Sequence, residues 1–149
     1  LNTELGPKRL QLLHELVPTA TTIAALINPI TPSAEIQLRV MSAAGRALGL
    51  QLHVLHASTE RDFDSVFATL MQLRAGALAI EPDALFTSRS EQLAALALGH
   101  AVPAIYEWRE FAAAGGLMSY GSNLAEATRQ VGVYCGRILR SAGYAGVEV

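Results

Sequence analysis

Apolar positions in this chain switch repeatedly between helical spacing and short, nearly unbroken runs. The runs predict strands: "TIAALI" at Thr22–Ile27, "LHVLH" at Leu52–His56, "GALAI" at Gly76–Ile80, "VPAIY" at Val102–Tyr106 and "LMSY" at Leu117–Tyr120. Near-continuous apolarity, as in TIAALI, suits a strand covered on both faces, whereas LHVLH alternates with period two. Between the runs the spacing is helical. Leu10, Leu13 and Leu16–Val17 line one face of a helix that opens at Gly6-Pro7 and stops at Pro18. Thr31, as N-cap, and Pro32 open a second helix with Ile36, Val40, Ala43–Ala44 and Ala47 on its inner stripe and Gly49 as its stop.

Thr59 followed by Asp62 resembles a capping box ahead of Phe63, Val66, Phe67, Leu70 and Leu73, the clearest amphipathic stripe in the chain. A fourth helix is expected from about Ser88 to Leu98, closed by Gly99. A last one is expected to be capped by Asn123 with Glu126, to carry Ala127, Val131, Tyr134, Cys135 and Ile138 inward, and to end at Gly143. Strands alternating with helices are the pattern of βαβ units. The expected fold is one α/β domain over residues 1–149: three layers, α/β/α, with a mostly parallel five-stranded sheet.

Composition narrows the function. With 149 residues, 51% of them apolar, the chain can bury a substantial core. A net charge of −2 gives no basic stripe for nucleic acid, and no apolar run approaches the roughly 20 residues that span a bilayer. The single cysteine, Cys135, leaves no internal disulfide and no Cys-rich zinc site, and its place on an apolar helical stripe marks it as inert core. His14, His53, His56 and His100 lack metal-ligand spacing. There is no G-x-S-x-G elbow, P-loop or G-x-G-x-x-G fingerprint. The expectation is a protein with no catalytic residues, cofactor or metal: a binder, not an enzyme.

In open parallel α/β sheets, ligands bind beyond the carboxyl ends of the strands, near the point where strand order reverses. That edge carries Asn28 after the first strand, Ser58 after the second, Glu81 and Asp83 after the third, Tyr106, Glu107 and Trp108 after the fourth, and Tyr120 after the fifth. Aromatic rings mixed with carboxylates and neutral polar groups suit a small polar or amphipathic molecule. Each also has a plainer role: Asn28-Pro29 as a strand stop, Glu81 and Asp83 as loop residues around a proline, Tyr106 and Tyr120 as packing residues with their hydroxyls wet.

The blocks "KRLQLLHELVPTATTIAALINPITPSAE", "ASTERDFDSVFATL", "ALAIEPDALF" and "AVPAIYEWREFAAAGGLMSYGSNLAEATRQVGVYCGRIL" together resemble the ABC-transporter substrate-binding proteins, a family that includes bacterial tryptophan- and tyrosine-binding lipoproteins. The resemblance implies a lobe of the periplasmic-binding-protein type, and it covers only the second of two lobes. It further implies a small-molecule solute, an amino acid or an aromatic compound, held in an interlobe cleft. An ABC permease and the missing first lobe are the implied partners. The implied location is periplasmic or lipid-anchored outside the cytoplasm, the signal segment lying outside this sequence. A ligand-sensing regulatory domain of a signalling protein is the alternative.

Overall fold

The computed structural model describes residues 5–116, 118–120 and 127–129. Six helices and six strands follow one another in it: α1 Leu5–Leu16, β1 Thr22–Ile27, α2 Ala34–Ala47, β2 Gln51–His56, α3 Asp62–Leu73, β3 Ala77–Ile80, α4 Ala84–Ser88, α5 Ser90–Gly99, β4 Ala104–Tyr106, α6 Arg109–Ala113, β5 Met118–Tyr120 and β6 Ala127–Arg129. The sheet order is β2-β1-β3-β4-β5-β6. The first five are parallel neighbours, and β6 runs antiparallel to β5.

The pleat sorts the core into two halves, because successive strand residues face opposite sides. Ala24, Leu26, Leu78, Ile80 and Ala104 meet Phe63, Phe67 and Leu70 of α3 and Leu93 of α5. Ile23, Ala25, Ala77, Ala79 and Ile105 meet Leu10 and Leu13 of α1 and Met41 of α2. Sheet residues facing helices on both sides give the three layers. β1 and β3 are therefore apolar at almost every position, while β2, at the sheet edge, mixes polar and apolar residues and stays half-exposed along its length.

Several helix boundaries differ from expectation for local reasons. α2 begins at Ala34 with Ser33 at its N-cap position, not at Thr31; the amide of Ala34 bonds the Thr31 carbonyl in a turn instead. The Asp62 carboxylate accepts from the amides of Ser58 at 2.9 Å and Thr59 at 3.1 Å, which is the reach-back half of a capping box. These two backbone donors hold its carboxyl below the usual carboxylate range. The helix expected from Ser88 is preceded by α4, capped by the Asp83 carboxylate at 2.8 Å from the Leu85 amide. The short helix α6 follows Trp108, in a stretch where the apolar pattern predicts no element.

The last expected helix is corrected at its start: Ala127–Arg129 form β6, paired with β5 from Met118↔Arg129 to Tyr120↔Ala127. A β-bridge outweighs the weak helical pattern there. Asn123, Glu126, Cys135 and Gly143 lie outside the described residues.

Gly115 and Gly116 each meet a different constraint. Gly115 has φ +115°, a conformation closed to most L-residues. A Cβ on Gly116 would lie 2.2 Å from the Phe111 ring, which is wholly buried beneath β4. The chain can turn out of α6 and enter β5 only where side chains are absent.

Candidate functional site

Strand order reverses at β1. The chain moves outward from β1 to β2, then crosses back to place β3 on the other side of β1. The crevice beyond the β1 and β3 tips is thus where this sheet architecture receives ligands.

Side chains from four elements converge on the three residues that follow β3. Asn28, 5% exposed at the tip of β1, donates from Nδ2 to the Asp83 carboxylate at 2.9 Å and accepts the Ile30 amide on Oδ1 at 3.1 Å. From α2, Gln37 donates to the Pro82 carbonyl at 3.0 Å. From the tip of β4, Tyr106 donates to the Asp83 carbonyl at 2.9 Å, and its oxygen lies 2.6 Å from the Thr87 hydroxyl. From α1, Arg9 approaches Glu81 at 3.9 Å. The stretch Glu81-Pro82-Asp83 is consequently held from below and from both sides.

Tyr106 is wholly buried, with its hydroxyl bonded to the Asp83 main chain, so it supports the edge from beneath. Burial pushes its phenol up to about 12, keeping it a neutral donor. Asp83 divides its role: one carboxylate oxygen caps α4 and accepts Asn28.

Glu81 and Glu107 share the sheet face that carries α1 and α2. The face runs Ala77, Ala79, Glu81 along one strand and Ile105, Glu107 along its neighbour. Ala79 pairs with Ile105, so the same register carried two residues onward sets Glu81 beside Glu107. Glu81 is 3% exposed, and its Oε2 makes no hydrogen bond. Burial pushes its carboxyl up to about 7; Arg9 pulls against this, and Glu107 adds to it. Glu107 is half-buried, and burial raises its carboxyl as well, again opposed by Arg9.

The remaining candidates are placed as follows. Ser58 sits in the β2–α3 turn with its amide on Asp62, and no bond joins it to the β3 tip. Trp108, 38% exposed, precedes α6 on the same edge. Tyr120 is the last residue of β5, and the β4–β5 register, carried one residue on, sets it beside Glu107. The structure therefore links Asn28, Glu81, Asp83, Tyr106 and Glu107 and leaves Ser58 apart.

Arg9 and Gln37 were missed by sequence reasoning. For Arg9 a signal existed. Gly6, Arg9, Leu10 and Leu13 are the buried positions of α1, so the arginine occupies the apolar stripe at helical spacing. A charge there needs a buried partner. Gly6 belongs to the same contact: a Cβ on it would meet Glu81 Oε1 at 3.0 Å.

Such an edge can orient a small molecule through carboxylates, an amide and an exposed indole. Among the described residues no three His, Cys, Asp or Glu side chains are grouped to hold a metal, and no helix is long and apolar enough to cross a membrane. A groove of about 310 Å³ opens at the opposite edge of the sheet, lined by Thr19, Thr21, Arg74 and Gly76, away from the strand tips that carry the candidates.

A sequence model described as "ABC transporter substrate binding protein" matches residues 2–149, and the chain belongs to that family. No curated protein matches the chain. Among solved structures it is similar to an ABC domain in complex with L-Trp from Streptococcus pneumonia, at 18% identity and TM-score 0.71, covering 97% of this chain and 47% of the other. It is similar to a substrate-binding protein with adhesive properties from Clostridium difficile, in a ligand-free, open structure, at 19% identity and TM-score 0.66, covering 95% and 46%. A LacI family transcriptional regulator from Bifidobacterium animalis gives 14% identity and TM-score 0.66, covering 100% and 57%. The chain thus spans about half the length of the solved structures it resembles. These likenesses establish a periplasmic-binding-protein-like fold.

Proposed function

We propose that this member of the substrate-binding family is the second lobe, in chain order, of a two-lobe solute receptor serving an ABC importer. A small molecule enters the cleft between the lobes, the lobes close over it, and a membrane permease reads the closed shape. Residues 1–149 form one lobe in this reading. The other lobe and the permease are its partners, and its place is outside the cytoplasm, periplasmic or lipid-anchored. The role is recognition, not bond making, and nucleic acid has no part in it.

One observation carries the reading: the strand order reverses at the point where Asn28 and Asp83 meet, with Glu81, Glu107 and Trp108 on the same edge. Asn28, Asp83, Glu107, Trp108 and Tyr120 are the residues assigned to contact the solute. Tyr106 and Glu81 act from behind them, and Ser58 stands at the margin. The solute is an amino acid or an aromatic compound; the L-Trp held by the Streptococcus structure supports that class.

Closure must be driven by contacts that the solute makes in the closed state, and one lobe supplies only its share of them. Calorimetry with L-tryptophan on this chain and on a two-lobe form checks this. Weak or unmeasurable binding by the chain beside firm binding by the two-lobe form is expected. Equal, tight affinities for both would overturn the two-lobe account.

A second reading, a ligand-sensing lobe of a regulatory protein, draws on the likeness to the LacI family regulator over the whole chain. The complete reading frame separates the two. A signal or lipoprotein segment supports transport; a fused DNA-binding segment supports sensing.

A further inference from the structure

β2 is one edge of the sheet, with β1 on its inner side only. The Gln51 amide bonds the Thr21 carbonyl at 2.9 Å, and the Ala57 amide bonds the Ile27 carbonyl at 3.2 Å. The odd-numbered residues of β2 therefore turn their main chain toward β1. Main-chain direction alternates along a strand, so Leu52, Val54 and His56 aim their N–H and C=O groups away from the sheet. Among the described residues nothing bonds to those outward groups.

Such an edge is a template for another strand unless charge, proline or a bulge blunts it. Gln51–His56 holds no Lys, Arg, Asp, Glu or Pro, and its pairing with β1 runs unbroken from Thr22↔Gln51 to Ile27↔His56. Leu52, His53, Val54 and Leu55 are each half-exposed, so neither α2 nor α3 covers the edge. The flank adds apolar surface. Gly45 of α2 packs over Leu52, where a Cβ would meet the Leu52 side chain at 3.1 Å. Leu38 lies two turns earlier on the same stripe of α2, roughly 10 Å further toward the carboxyl end of β2. Val54 is the next residue after Leu52 on that sheet face, roughly 7 Å along. Leu38 is 39% exposed and Val54 belongs to neither buried cluster, so both set apolar surface beside the unpaired main chain.

We propose that the β2 edge is a homodimer interface, in which β2 pairs antiparallel with β2 of a second copy of this chain. A two-fold axis normal to the sheet relates the copies and joins two six-stranded sheets into one. That axis keeps every side chain on its own face, so it passes through a residue and not between two. Centred on Val54, the outward residues oppose one another: Val54 meets Val54, and Leu52 meets His56, each pair exchanging two main-chain bonds. Centred on His53, only Leu52 and Val54 would pair, and two histidines would stand opposite each other. The Val54 register alone satisfies every outward group of the strand, and it sets both Val54 side chains between the two Leu38 side chains. Because the paired strands run in opposite directions, the two crevices open at opposite ends of the dimer. The interface therefore stands or falls apart from the receptor reading.

The test is sedimentation of the 149-residue chain from micromolar to millimolar concentration, with amide hydrogen exchange by NMR over the same range. A rise in mass with concentration, from 15.8 kDa to twice that value, is expected. With it the Leu52, Val54 and His56 amides should gain about tenfold protection or more, while the His53 and Leu55 amides, turned toward β1, stay protected throughout. Val54→Lys sets two like charges at the centre of the interface. It should leave a monomer at every concentration with an unchanged melting curve, since Val54 lies outside both buried clusters. Exchange in the unsubstituted chain decides the matter even if that variant fails to fold. A chain that stays monomeric at millimolar concentration overturns the interface. So does a dimer whose Val54 amide remains unprotected, or one that Val54→Lys leaves intact, because association then uses another surface.

Discussion

Asn28 and Asp83, fifty-five residues apart in the chain, are joined by a 2.9 Å hydrogen bond across the point where strand order reverses. The bond closes the floor of the crevice and ties the tip of β1 to the cap of α4. A carboxylate acceptor strengthens it relative to a neutral pair.

Replacing Asp83 with Ala removes the α4 cap and the Asn28 partner together. A loss of about 1–3 kcal/mol in urea unfolding is expected. Asp83→Asn retains an acceptor and should recover much of it. A double-mutant cycle with Asn28→Ala should return a coupling on the order of 1 kcal/mol; additive single effects would show that the bond carries no energy of its own.

Stability should fall as pH rises toward neutrality. Glu81 keeps its proton in the folded chain up to about 7, while in the unfolded chain it ionises near its ordinary 4.5. Because the folded value is the higher one, the stabilising difference is fully present below about pH 4.5 and is lost as pH climbs through 7. The Glu107 shift has the same sign. Unfolding free energies measured at pH 5 and pH 8 should differ by on the order of 2–3 kcal/mol, with pH 8 the less stable. Glu81→Gln should flatten that slope. A slope unchanged in the variant would assign it to other groups.

Tyr106→Phe removes a buried hydroxyl from between the Asp83 carbonyl and Thr87. About 1–2 kcal/mol of stability should be lost, with no cavity to speak of. The ring should remain in place against Phe111, 6.0 Å away between centroids and edge to face. Solute affinity should weaken through displacement of the β3 tip, visible as shifts of the Asp83 and Leu85 amides before any solute is added.

Trp108→Ala should behave oppositely. The indole is 38% exposed and makes no ring contact with any described residue, so the unfolding transition should move by less than about 0.5 kcal/mol. Lost affinity of the two-lobe form with an unchanged melting curve supports recognition by Trp108. A large destabilisation would instead assign the ring to packing.

Gly116→Ala forces a Cβ into the Phe111 ring at 2.2 Å. Overpacking of about 1–3 kcal/mol is expected in thermal unfolding. Pairing it with Phe111→Leu, which vacates part of that volume, should restore some of the loss.

Periodicity located the five parallel strands and most helices because each is set by local burial: TIAALI can only be a strand covered twice, and the Phe63–Leu73 stripe can only be a helix with one wet side. The misses are short elements. α4, α6 and β6 span three to five residues each, too few for a period to emerge, and each is fixed by a contact: the Asp83 cap, the Phe111 anchor, the pairing with β5. Candidate site residues could be read off as strand ends, but not their roles. Tyr106 and Trp108 looked alike as rim aromatics; one is sealed beneath the edge and the other is open to water.

The sequence by itself determined a three-layer α/β chain and which residues fall at the carboxyl ends of its strands, since pleat and helix period act over a few neighbours. Only the tertiary structure decided the strand order, and with it that Asn28 faces Asp83, that Gln37 holds Pro82, and that Arg9 meets Glu81 beside Glu107. Those partners lie far apart in the chain. Their electrostatics depend on burial and separation, which exist only once the helices have closed over the sheet.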